Sequence, residues 1–258
     1  MERMSLNIDD VERWQCAIVQ KIEECTVEKE QGYSFEIENF LPQDLYDRMV
    51  GIWPPVSELQ TLSEAGLAVK RTARENAVTE ARKVAKITDL IARGPAEEAL
   101  IWKVLASLFS GAEVVGAFYR KMQPFIAEER PEIYPVKAMH SEVLVQTDLD
   151  GFLLGPHLDA PKKVLSMLLY CPVNAENAAL GTSVFRPRAS FLEKNPGYRN
   201  NFIGKYHDLS DFDVVRTAKY IPNNLFGFIV GNRMFHGIAQ IKNKNVLRRN
   251  VMWNIYHD

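Results

Sequence analysis

Between residues 9 and 27, apolar side chains recur every three or four positions (Val11, Trp14, Ile18, Ile22, Cys25). This is the spacing of one face of an α-helix, with Asp9 and Asp10 as candidate N-caps. Tyr33, Phe35 and Ile37 then alternate with Ser34, Glu36 and Glu38, which predicts a strand. Pro42 opens a predicted helix over 43–53, and Pro54-Pro55 ends it. From about 61 to 129 the period is helical again, broken at Gly94-Pro95 and Gly111. Its apolar stripes run through Leu100, Val104 and Leu108, and then through Val115, Phe118 and Met122. The charge-rich part, 67–86, reads as a solvated helix or flap.

After Pro131 the pattern changes to short runs rich in Val, Ile, Leu, Phe and Tyr, at 140–148, 151–156, 163–171, 181–187, 213–219, 225–230 and 247–256. Turn residues such as Pro222-Asn223-Asn224 and Gly231-Asn232 separate them. So many short strands predict an α+β fold: a double-stranded β-helix, or jelly roll, over 131–258. The N-terminal and inserted helices of 1–130 pack on its outer face, all within one domain spanning 1–258.

Composition changes this picture little. The chain has 258 residues, 47% hydrophobic and 25% charged, as in ordinary globular proteins, and a formal net charge of −2. Such a balance gives no global field that would draw nucleic acid, so none is expected as a partner. No run of about 18 uninterrupted apolar residues predicts a membrane span, and the N-terminus lacks a signal-peptide core. Cys16, Cys25 and Cys171 are spaced neither for metal binding nor for a disulfide framework and read as small buried apolar residues, which fits a reducing, cytoplasmic location.

The candidate chemistry lies in three places. In Gly155-Pro-His-Leu-Asp159, an imidazole and a carboxylate stand two positions apart, so on an extended chain they point the same way. Met234-Phe-His-Gly237 follows an apolar strand and a Gly-Asn turn, and a jelly roll can bring it beside the first motif. Two histidines and one carboxylate form a facial triad that leaves metal positions open for other ligands; zinc enzymes use similar sets. In Leu247-Arg-Arg-Asn-Val251, strand alternation puts Arg248 and Asn250 on one face and Arg249 on the other. An inward arginine fork suits a carboxylate held in a dry pocket.

The order H-x-D, distal H, then R about ten residues on resembles the Fe(II)/2-oxoglutarate oxygenase superfamily over residues ~134–257. GPHLDAPKKVLSMLLYCP, GTSVFRP, PNNLFGFIVGNRMFHG and RRNVMWNIY carry the likeness, and 35–54 looks like the N-terminal strand and helix of such enzymes. The resemblance implies a cupin-like core with His157, Asp159 and His236 as Fe(II) ligands. Arg248 would hold the distal carboxylate of 2-oxoglutarate, with Asn250 where many members have serine and Tyr170 near the co-substrate. It also implies use of O2 and, because Asp159 stands where related halogenases have Gly or Ala, hydroxylation in preference to halogenation.

The expected substrate is a small molecule, such as an amino acid or natural-product intermediate. A peptide side chain, a non-catalytic metabolite-binding role and a cupin-like isomerase or hydrolase are the alternatives. Segments 61–95 and 189–212, longer than ordinary connections, are candidate lids. His140, His207 and His257 are assigned to structure, and Arg186 and Arg233 to surface ion pairs. Lys162 and Lys163 are assigned to keeping an edge soluble.

Overall fold

The computed structural model describes residues 7–67, 80–174, 176–198 and 206–258. Most of the charge-rich stretch and the middle of the 189–212 segment therefore lie outside the described residues. The strands are β1 Glu28–Lys29, β2 Tyr33–Ile37, β3 Gln60–Thr61, β4 Arg82–Lys86, β5 Met139–Asp148, β6 Leu154–His157, β7 Lys163–Tyr170, β8 Ser183–Pro187, β9 Phe212–Thr217, β10 Asn224–Ile229, β11 Phe235–Ile238 and β12 Arg248–His257. Among the described residues they form two antiparallel sheets, one in the order β1-β2-β10-β7-β12-β5-β4-β3 and one in the order β6-β11-β8-β9. This is the expected jelly-roll core with helices packed outside it.

Strand alternation decides which side chains reach the interior of the roll. In β7 and β12, Leu165, Met167, Leu169, Val251, Trp253 and Ile255 join the large core beneath the helices. The intervening Leu168 and Tyr170 of β7 join the smaller core between the sheets, and Met252 of β12 packs against it. The two-residue period thus separates a packing face from a chemical face on the same strands.

On the packing face, Trp14, Ile18 and Ile22 of helix Ile8–Glu24 and Phe118 and Met122 of helix Ala112–Glu129 are fully buried. Trp253 packs 4.8 Å from Phe109 and edge-on at 5.2 Å from Phe118. Each such aromatic buries enough apolar surface to contribute roughly 1.5–3 kcal/mol. These contacts anchor β12, the central strand that carries Arg248.

Several local expectations need correction. The first helix is capped by Asn7, whose side chain accepts from Asp10 N at 2.8 Å, so Asp9 and Asp10 occupy the first turn instead. Residues 82–86, expected to be helical, form β4, because β5 offers an open edge and Arg82 meets a buried carboxylate there. Leu100 is 44% exposed; the buried face of helix Ala96–Ser110 runs through Ile101, Trp102, Leu105 and Leu108. The stretch Ala96–Glu129, although it has no uninterrupted apolar run of spanning length, is long and apolar enough on average to cross a membrane by composition; half of its most apolar window is buried within the protein. Cys16 is exposed; Cys25 and Cys171 are buried, and all three are free thiols.

One glycine marks how closely β10 is pressed between its neighbours. A Cβ on Gly227 would lie 2.3 Å from Phe35 Cζ and 2.9 Å from Met167 Cγ. Gly227→Ala is therefore expected to destabilise the fold by about 1–3 kcal/mol through overpacking. A urea unfolding midpoint equal to that of the wild type would contradict this.

Candidate metal centre

Antiparallel pairing of β6 with β11 sets His157 directly opposite His236. That register brings two segments distant in sequence together, and it puts both imidazoles on one side of the small sheet, with ring centroids 4.2 Å apart. Gly237 permits the approach: a Cβ there would lie 2.3 Å from the carbonyl oxygen of Leu154. Asp159, two residues beyond the end of β6, turns its carboxylate to the same point. Its Oδ1 lies 4.0 Å from His157 Nε2, and its Oδ2 lies 4.0 Å from His236 Nε2. One donor atom from each residue falls within 4.8 Å of the others, a spacing that one cation can bridge.

The backbone fixes which imidazole nitrogen faces that point. His157 Nδ1 lies 3.0 Å from the carbonyl oxygen of Gly155, and His236 Nδ1 lies 3.0 Å from that of Met234. A carbonyl only accepts, so each Nδ1 carries the proton and each Nε2 presents its lone pair. Burial, reinforced by the neighbouring His236, pulls the pKa of His157 down to about 3; burial likewise lowers that of His236. Burial alone would raise the pKa of Asp159, but Lys163, whose Nζ lies 3.1 Å from Oδ2, holds it below the usual carboxylate range. Two neutral imidazoles and one ionised carboxylate are the protonation states that metal ligation needs.

The triad opens on a cavity of about 170 Å³, lined among others by Arg82, Lys163, Thr182, Tyr206, Phe228 and Met252. From the cavity wall inward three charged residues stand side by side across three strands: Arg82 of β4, which lines the cavity, is opposite Asp148 of β5, which is opposite Arg248 of β12. Arg82 grips Asp148 with two hydrogen bonds, Nε to Oδ1 at 2.6 Å and Nη2 to Oδ2 at 3.0 Å. Arg248, with no solvent exposure, donates from Nη1 to Asp148 Oδ2 at 2.7 Å and from Nε to the carbonyl of Leu180 at 2.6 Å. Its remaining nitrogen, Nη2, is buried without a hydrogen-bond partner.

The sequence-predicted residues thus divide into two groups. His157, Asp159 and His236 converge on one point. Arg248, Asn250 and Tyr170 face the interior of the roll, as alternation requires, but lie one layer behind the cavity lining. Tyr170 is committed to Thr182: its hydroxyl accepts from Thr182 N at 2.9 Å and donates to Thr182 Oγ1 at 3.0 Å. Asn250 Oδ1 accepts from Gln146 Nε2, while Asn250 Nδ2 is buried and unpartnered.

Sequence reasoning missed Arg82 and Asp148, and it assigned Lys163 to edge solubility. Lys163 instead lines the cavity and pairs with Asp159. Its position four residues after Asp159, at the mouth of the next strand, was the available signal. His236, for which the sequence showed no strand, sits inside β11, a four-residue strand whose pairing with β6 and β8 defines it. Arg233 pairs with Glu129 as expected.

No protein-family model matches the chain, nor does any curated protein. Among solved structures, a prolyl hydroxylase from Trichoplax adhaerens, in complex with a hypoxia inducible factor oxygen degradation domain peptide fragment, aligns with a TM-score of 0.50. The alignment covers 99% of this chain and 94% of that one at 16% identity. The two proteins share a fold. A Pseudomonas putida prolyl-4-hydroxylase also aligns (TM-score 0.46, 13% identity, 95% and 99% coverage). So does the epimerase SnoN, in complex with Fe3+, alpha ketoglutarate and nogalamycin RO (TM-score 0.48, 11% identity, 97% and 85% coverage). At such identities the likeness is one of architecture, and the chemistry of this chain must be read from its own side chains.

His236→Ala removes one of three donors. It is expected to weaken Mn(II) or Fe(II) binding beyond the ~10–100-fold loss typical of changes behind the ligands. Calorimetric titration under nitrogen measures this, and undiminished affinity would show that these side chains do not hold the ion.

Proposed function

We propose that the chain is a non-haem Fe(II)- and 2-oxoglutarate-dependent dioxygenase that hydroxylates a small molecule. The observation that carries this reading is the pairing of an open two-imidazole, one-carboxylate site with a buried guanidinium, that of Arg248, one of whose nitrogens still lacks an acceptor. His157, Asp159 and His236 would hold the iron. Iron bound by such a triad activates O2 and couples its reduction to decarboxylation of the 2-oxo acid, giving succinate and CO2.

The protein's own contribution is positioning. Nη2 of Arg248 and Nδ2 of Asn250, two buried donors on the same face of β12, await an acceptor, and the distal carboxylate of 2-oxoglutarate would satisfy them. Asp148 and Leu180 already fix two edges of the Arg248 fork, so little side-chain freedom remains to be lost when that anion binds. Tyr170, held by Thr182, would brace the fork through its ring, 5.5 Å from the guanidinium carbon. Lys163 would keep Asp159 ionised. The modest size of the cavity supports a small-molecule substrate over an extended peptide. Phe228, 4.4 Å from His236, and Tyr206, edge-on to His157, would set ring surface against the triad.

Purified protein supplied with Fe(II), ascorbate and 2-oxoglutarate is expected to release succinate, and faster with its substrate present. Arg248→Ala deletes one side of a buried charge pair. It is expected to weaken 2-oxoglutarate binding by about 2–5 kcal/mol, or roughly 30-fold and upward, while leaving metal binding in place. Succinate release that survives this substitution unchanged would favour the isomerase or hydrolase alternative, and a protein that binds 2-oxoglutarate without ever releasing succinate would be a binding protein.

A further inference from the structure

Around the cavity, the cations among the described residues outnumber the carboxylates. Among the described residues, three side-chain cations, Arg82, Lys163 and Arg248, share two carboxylates, Asp148 and Asp159. A divalent metal bound with a dicarboxylate co-substrate adds nothing to the balance. Lys163 is engaged with Asp159, and Arg248 sits behind the wall. The cation left facing the cavity with its countercharge shared is Arg82, because Asp148 divides its two oxygens between Arg82 and Arg248.

Arg82 is also built as a receptor. Register pairing with β5 holds its backbone, Asp148 holds two edges of its fork, and its guanidinium carbon lies 4.3 Å from the centre of the Phe152 ring. The residue is 9% exposed, and its Nη1 has no hydrogen-bond partner among the described residues. A planar, immobilised fork with one edge free matches a carboxylate better than any neutral group, and partial burial strengthens the attraction.

We propose that Arg82 is a specificity-determining residue and that the primary substrate carries a carboxylate that docks on its guanidinium. This rests on the oxygenase reading of the same site. The class is a small carboxylic acid whose anion is held at Arg82 while a carbon further along the molecule lies over the metal centre.

The test uses full-length protein loaded with Mn(II) and 2-oxoglutarate without oxygen, and as probes the nearly isosteric pair benzoate and benzamide, titrated by saturation-transfer NMR. Benzoate is expected to bind about tenfold or more tightly than benzamide, a difference of about 1.4 kcal/mol. Arg82→Gln should reduce that preference to about twofold or less, and Arg82→Lys should keep part of it, because the charge remains without the fork. Circular dichroism melting confirms that both variants fold, and if Arg82→Gln does not, Arg82→Lys alone decides through its partial loss.

Equal binding of the two probes by the wild type, or a benzoate preference that survives Arg82→Gln, overturns the proposal. So does a loss of 2-oxoglutarate affinity in Arg82→Gln as large as that in Arg248→Ala, which would give Arg82 to the co-substrate instead. If the wild type fails to bind 2-oxoglutarate but discriminates benzoate through Arg82, the oxygenase reading falls and the carboxylate site stands.

Discussion

The functional geometry depends on one antiparallel pairing, β6 against β11. Two four-residue strands carry one histidine each, and their register decides whether those side chains meet. A slip by one residue would send one imidazole to the opposite face, since side chains alternate along a strand. Gly237, which leaves room for the backbone of β6, and the packed aromatic residues Phe185, Phe212 and Phe235 hold that register. The helices and the large sheet supply a rigid wall against which the small sheet closes.

Much of this was legible in the chain. Short runs rich in Val, Ile, Leu, Phe and Tyr after Pro131 marked seven of the strands, and H-x-D with a distal histidine marked the triad, because both patterns are local and both have a direct geometric meaning. β11 escaped notice because Phe-His-Gly-Ile is too short and too mixed to show alternation; its partners define it. Arg82 escaped for a related reason. Its neighbourhood, crowded with Lys, Arg and Glu, reads as a solvated surface. Nothing in a single sequence says that Asp148, far downstream, will be buried and will draw that arginine inward. Tyr170, Asn250 and Arg248 were placed on the correct face by alternation, but depth within the roll is a tertiary property, and all three lie deeper than the cavity lining.

The buried row Arg82–Asp148–Arg248 shows how an interior can store charge. Isolated, each of these ions would be expensive to bury; side by side across three paired strands, the acid satisfies both bases through three hydrogen bonds. The shared carboxylate leaves each guanidinium only partly compensated. A cavity wall with that property is prepared for anions before any arrives, and it sets a preference by charge that loop sequence could later refine.

The histidine tautomers are set differently from those in sites where a side-chain carboxylate does the orienting. Each imidazole leans on a peptide carbonyl two positions earlier in the chain. Mutation can replace a side chain but cannot delete a main-chain oxygen, so the orienting group is inherited with the strand itself. The lone pairs at the centre are thereby insulated from drift in the surrounding residues, leaving the periphery free to change its ligand while the centre keeps its form.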